Sequence, residues 1–204
     1  MNKTSYGSVF INCPFDSDYK SILYAIIYTV YHCGFIPRSS LEQDNALDPR
    51  LSKIEKLIEE CRFGIHDLSR TEISNNGLPR FNMPFELGIF FGAKKFGDAT
   101  QKNKVALVLE RQKYQYQQFI SDLSGIDTKA HDNKPETAIQ IVRNWLKISS
   151  NRAKIDGHIK IVNDYNIFLE NMPDIVKKLN LDINNLTYTE YCILIEEALS
   201  LNML

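Results

Sequence analysis

Short apolar runs alternate with longer stretches of helical period, and this alternation restricts the chain more than any other feature of it. Val9-Phe10-Ile11-Asn12-Cys13, closed by Pro14, reads as a first buried strand. After a cap at Asp16 or Ser17, apolar residues recur at Ile22, Leu23, Ile26, Ile27 and Val30 up to a stop at Gly34. Phe35-Ile36-Pro37-Arg38 is a second strand, weakened by its proline. Asp48-Pro49 opens a helix with Leu51, Ile54, Leu57, Ile58 and Cys61 on one face. Phe63 to Leu68 is a third strand, and Thr71 to Pro79, with Asn75-Asn76-Gly77, a loop. Val105 to Leu109 is the clearest strand, Tyr114 to Leu123 a predicted helix, and Asp127 to His131 a weak last strand. Pro135 opens a helix carrying Ala138, Ile141, Val142, Trp145 and Leu146. Strands alternating with helices imply an α/β fold, a parallel sheet with helices on both faces.

Beyond about Ile155 the pattern is purely helical, and Pro173 is expected to separate two helices. Thr187-x-x-Glu190 forms a capping box ahead of Tyr191, Leu194, Ile195 and Ala198. The expected organisation is an α/β domain over residues 1–150 and a helical C-terminal appendage over 151–204, packed on that domain or on a partner. Phe168, Leu169, Met172, Tyr188 and Tyr191 are its candidate assembly contacts, or else complete the core. A net charge of −1 generates no field that would select nucleic acid or an anionic membrane. No signal pattern or bilayer-length apolar run is visible. Four widely spaced cysteines without a C-x-x-C pair suit reduced thiols in a cytoplasm better than a disulfide framework or a zinc site. The expectation is therefore cytoplasmic, with no metal, membrane or nucleic acid.

In an open parallel sheet, ligands bind outside the carboxyl ends of the strands. The first strand ends in Asn12-Cys13-Pro14-Phe15-Asp16, the second in Arg38-Ser39-Ser40 and the third in His66-Asp67. The next helix opens in Arg80-Phe81-Asn82-Met83-Pro84-Phe85-Glu86-Leu87-Gly88, where one carboxylate sits in an apolar run. Asn82 can cap that helix and Pro84 fits its first turn. Gly88 and Gly92, four apart, would let it approach a neighbour closely. A buried carboxylate is costly without a partner, so Glu86 is either functional or a complement to the helix dipole. Asp67 caps its own loop or holds a ligand. Arg38 is a surface charge or an anion fork, and Arg80 closes over a ligand or is solvated. His66 alternates with Asp67, faces the other side and reads as structural. Cys13 reads as a small hydrophobe, and His131 is an outside candidate on the same edge. No dinucleotide fingerprint, P-loop, zinc motif or serine-hydrolase elbow is present.

A first strand ending in an N-x-P-F-type turn, a third strand ending in Asp, and P-F-E-L-G opening a helix resemble the nucleoside 2-deoxyribosyltransferase-like superfamily. They are also similar to bacterial TIR-like (Toll/interleukin-1 receptor-like) nucleotide-binding proteins. The resemblance covers about residues 8 to 131. It implies a flavodoxin-like sheet, with Glu86 stabilising or attacking the anomeric carbon of a ribosyl group and Asp67 holding the sugar. The turn Asn12 to Phe15 would line the pocket, with Arg38, Arg80 and Asn82 as further substrate contacts. The loop before Glu86 lacks the Asp-x-Gly-Thr-like segment of the transferases, and the only tryptophan, Trp145, does not stand in a TIR-type motif.

Cleaving an N-glycosidic bond builds positive charge on the sugar, which an ionised carboxylate in a dry site stabilises. Nicotinamide leaves as a neutral base from a cationic nucleoside and needs little acid catalysis. With no second acidic donor evident, the expected activity is N-glycosidic cleavage of NAD or a related nucleotide. The nucleotide would be substrate and no cofactor would be required. An effector in a bacterial stress or defence system, active as a homo-oligomer, is the expected setting. Base exchange by a nucleoside 2-deoxyribosyltransferase and a non-catalytic nucleotide-sensing module are the alternatives.

Overall fold

Five parallel strands build one sheet in the computed structural model, which describes residues 7–70, 80–152 and 154–200. They are β1 (Ser8–Asn12), β2 (Ile36–Arg38), β3 (Phe63–Asp67), β4 (Val105–Glu110) and β5 (Lys129–Ala130), in the order β2-β1-β3-β4-β5. All pairings are parallel, with Asn12 beside His66 and Asp67 beside Leu109. This flavodoxin-like order places the switch point between β1 and β3.

Among the described residues six α-helices surround the sheet: α1 (Lys20–His32), α2 (Arg50–Glu60), α3 (Asn82–Phe96), α4 (Pro135–Ser150), α5 (His158–Lys178) and α6 (Tyr188–Ser200). Side chains alternate across the strands, so each strand feeds two cores. Val9, Ile11, Phe63, Ile65, Leu107 and Leu109 face α1 and α4. On the other side Phe10 meets α2 and Phe90 of α3, while Val108 meets Met83 and Leu87 of α3 and Tyr116. Burial on both faces is why the strands read as continuous apolar runs.

The C-terminal helices pack on α1 and α4 and share the first of these cores. Tyr191 stacks on Tyr24 with ring centroids 3.6 Å apart, and His32 meets Asp164 at 2.8 Å. Phe168, Tyr188 and Tyr191 are consumed by this packing and are not free for assembly; Leu169 remains 37% exposed. The Thr187–Glu190 capping box is formed: the Thr187 N–H donates to Glu190 and the Glu190 N–H to Thr187 Oγ1.

Several expectations are corrected. Tyr114 to Leu123 holds two short 3-10 turns, Gln115–Gln118 and Ser121–Leu123, in place of an α-helix. Buried Glu110 accepts the Tyr114 and Gln115 N–H groups at 3.0 Å, and Tyr114 is left-handed (φ 66°), which breaks helical continuation. Pro173 does not divide the tail: α5 runs through it, with Phe168, Ile175 and Val176 buried on either side. Core packing there outweighs the roughly 3 kcal/mol helix cost of an internal proline. Gly88 and Gly92 meet nothing within 4 Å, so they are not the close approach. That approach occurs on β3 at Gly64, where a Cβ would lie 2.8 Å from the Phe90 ring. The expected loop at 71–79 lies outside the described residues. No helix is long and apolar enough to cross a membrane among the described residues.

Candidate active site

The chain leaving β1 turns at Pro14 and reaches Asp16, whose carboxylate caps the next turn by accepting the Tyr19 N–H at 3.2 Å. Two arginines hold the same carboxylate: Arg70 donates to Oδ1 at 2.7 Å and Arg80 to Oδ2 at 3.3 Å. The end of β1 is tied to the start of α3 by Asn12, whose side-chain amide donates to the Met83 carbonyl at 3.0 Å. The same amide group meets His66 Nδ1 at 3.1 Å.

Between these segments lies an open cavity of about 450 Å³, lined by Cys13, Pro14, Phe15, Asp16, Arg50, Arg80, Asn82 and Met83. Four of the expected contacts, Pro14, Phe15, Arg80 and Asn82, thus come together. Asn82 is already the first helical residue and makes no cap; Phe81 stands at the cap position without a side-chain bond. Asn12 is buried and acts beneath the cavity as a strut. Arg38 lies elsewhere. It donates to Glu42 at 2.8 Å and Glu60 at 3.2 Å, and lines a separate cavity with Tyr31, Tyr188 and Cys192. It is on the edge strand β2, one strand removed from the switch point, and local carboxylates occupy its fork.

Asp67 is fully buried, and its carboxylate is spoken for. Oδ2 accepts from the Tyr19 hydroxyl at 2.6 Å and from His131 Nε2 at 3.1 Å, and Oδ1 accepts the Ser69 N–H at 2.8 Å. The Asn133 N–H donates to His131 Nδ1 at 3.0 Å, which places the imidazole proton on Nε2, facing Asp67 and Ser69. Burial would raise the Asp67 carboxyl, but the bonds from His131, Ser69 and Tyr19 outweigh it and hold the group below its ordinary value. Asp67 is therefore a structural hub under the switch point and does not reach the cavity.

Glu86 is the opposite case. Its side chain is 7% exposed, and its only charged contact among the described residues is Arg50 Nη2, 3.6 Å from Oε1, longer than an ordinary hydrogen bond. Among the described residues three other carboxylates are buried: Asp67, Glu110 and Asp164. Each of them accepts hydrogen bonds at 3.1 Å or less. Burial raises Glu86 above its ordinary value, and Arg50 offsets this only in part. Glu86 does not itself line the cavity; Arg50 does, and connects the two. Cys13 is surrounded by these acids: burial and the charges of Asp67, Glu86 and Asp16 push its thiol well up, so it stays protonated and inert.

Arg50, Tyr19 and Ser69 were not visible as site residues. Arg50 does carry one signal in the sequence: it is a cation at the first position of a helix, where the dipole disfavours it. No cluster of side chains able to hold a metal occurs among the described residues. No protein-family model, curated protein or solved structure matches this chain.

Proposed function

We propose that the cavity at the β1/β3 switch point binds a nucleotide and that Glu86 supports cleavage of its N-glycosidic bond, NAD being the substrate class favoured. The observation that carries this reading is that Glu86, alone among the described buried carboxylates, is held by nothing closer than one 3.6 Å contact to Arg50, beside a cavity of ligand size. Two guanidinium groups, Arg50 and Arg80, suit phosphate, and Phe15 offers a ring to a base. The ionised Glu86 would stabilise the ribosyl cation as the C1′–N bond breaks. The bonding pair leaves with nicotinamide, a water oxygen bonds C1′, and the water proton passes to solvent. Asp67 takes no direct part; it holds the floor of the site. A cytoplasmic, self-assembling effector of bacterial defence is the setting this reading favours.

A second reading, a nucleotide sensor without turnover, is supported by the position of Arg50 between Glu86 and the cavity. Incubation with NAD separates the two. The enzyme reading expects release of free nicotinamide, lowered at least about 100-fold in Glu86→Gln. Equal release by wild type and variant defeats the enzyme reading, and ligand-induced thermal stabilisation without any release supports the sensor. Exchange of a free base into a deoxynucleoside would instead indicate a transferase.

A further inference from the structure

The pairing of Arg50 with Glu86 is built to come apart. The contact is single and 3.6 Å long, and its two members differ sharply in freedom: the Arg50 side chain is 56% exposed, that of Glu86 7%. Among the described residues the Arg50 guanidinium makes no other polar contact; its other neighbour is the Phe15 ring, 5.8 Å away. Arg50 also opens α2, an eleven-residue helix whose start carries no side-chain cap, so first-turn N–H groups stand beside it. A phosphate there would meet a guanidinium fork and a helix N-terminus together, a stronger partnership than one long contact to a carboxylate. Arg80 lines the same cavity but is engaged with Asp16.

We propose that Arg50 is a phosphate-responsive latch, which covers Glu86 until a phosphate in the cavity draws the guanidinium away. This deepens the nucleotide reading and rests on it. As the latch leaves, Glu86 would lose one positive neighbour and gain another, the cationic nicotinamide ribosyl group, so the buried charge is never left bare. The site would thereby reject nucleosides, which bring the same scissile bond without a phosphate to open the latch.

Nicotinamide mononucleotide and nicotinamide riboside differ by that phosphate alone, and calorimetric titration of the full chain with each tests the latch. Wild type is expected to bind the mononucleotide at least about tenfold more tightly, the worth of one charge-assisted contact. Arg50→Ala should bring the two ligands within about twofold of each other, with circular dichroism confirming the fold. Glu86→Gln, which frees Arg50 from its competitor, should bind the mononucleotide several-fold more tightly than wild type, roughly three- to tenfold. A merely structural Arg50 would not produce that gain. An undiminished phosphate preference in Arg50→Ala, or weaker mononucleotide binding by Glu86→Gln, overturns the latch while leaving nucleotide binding intact. Binding of neither ligand to wild type overturns the nucleotide reading and the latch with it.

Discussion

Asp67 and Glu86 are both buried carboxylates at the same sheet edge, yet their surroundings are built to opposite ends. Asp67 receives a phenol, an imidazole and a backbone amide, and its ionised form is favoured. Glu86 receives one distant guanidinium, and burial disfavours its charge. Under the proposed function, the difference shows where stability and function separate in this molecule. A saturated carboxylate joins β3 to α1 and the β5 loop. An undersupplied one is kept at a cost in stability, which is the condition expected of a group reserved for a ligand.

The largest effect should follow from Asp67→Ala. It strands the Tyr19 hydroxyl, the Ser69 N–H and His131 in the interior and should cost about 3–5 kcal/mol, as for breaking a buried pair. Urea unfolding measures this, and a loss below about 1 kcal/mol would mean Asp67 is not a hub. Next, Tyr19→Phe removes the shortest bond to that carboxylate and should cost about 1.5–3 kcal/mol, the range for hydrogen bonds to charged groups. The Asp67 contribution should itself fade in acid: a carboxyl held below its ordinary value stabilises above that value and loses its effect as pH falls through the folded-state one.

How much of this was legible before the structure depends on the range of the forces involved. The five strands were, because buried parallel strands write themselves as apolar runs. The gathering of Pro14, Phe15, Arg80 and Asn82 at one cavity was, because the topological rule needs only the strand ends and the helix that follows. Arg38 misled because strand order, which put β2 at the edge, is not written locally. The saturation of Asp67 was hidden because Tyr19 and His131 lie 48 and 64 residues away in the chain. Tyr114 to Leu123 failed as a helix for a nearer reason: the Glu110 carboxylate, buried at the end of β4 four residues upstream, claims its first backbone donors. Arg50 was readable only as an anomaly, a cation where the helix dipole resists one.

A third test uses His66, which neighbours Asp67 on β3 but faces the opposite core. Its Nδ1 meets Asn12, its Nε2 is buried without a hydrogen-bond partner, and it packs on Phe90 with ring centroids 4.8 Å apart. Burial, with help from the Lys104 charge, lowers it from 6.5 to about 3. The unfolded chain therefore binds more protons than the native one between these values, and stability falls as pH drops through 6.5 toward 3. Between pH 7 and pH 5 the loss should be about 2 kcal/mol by urea unfolding, and His66→Gln should flatten that slope. A slope unchanged by the substitution would place the acid sensitivity elsewhere.

The smallest effect is the most direct test, because it needs no substrate or activator. A carboxyl raised by burial costs stability when ionised, and that cost shrinks once pH falls below its folded-state value and is gone below its ordinary one. Thermal unfolding of Glu86→Gln at pH 7 should therefore give a Tm above that of wild type, with the gain shrinking toward acid. A Tm below wild type at pH 7 would make Glu86 a structural partner of Arg50 and remove the ground for reading the switch-point cavity as an active site.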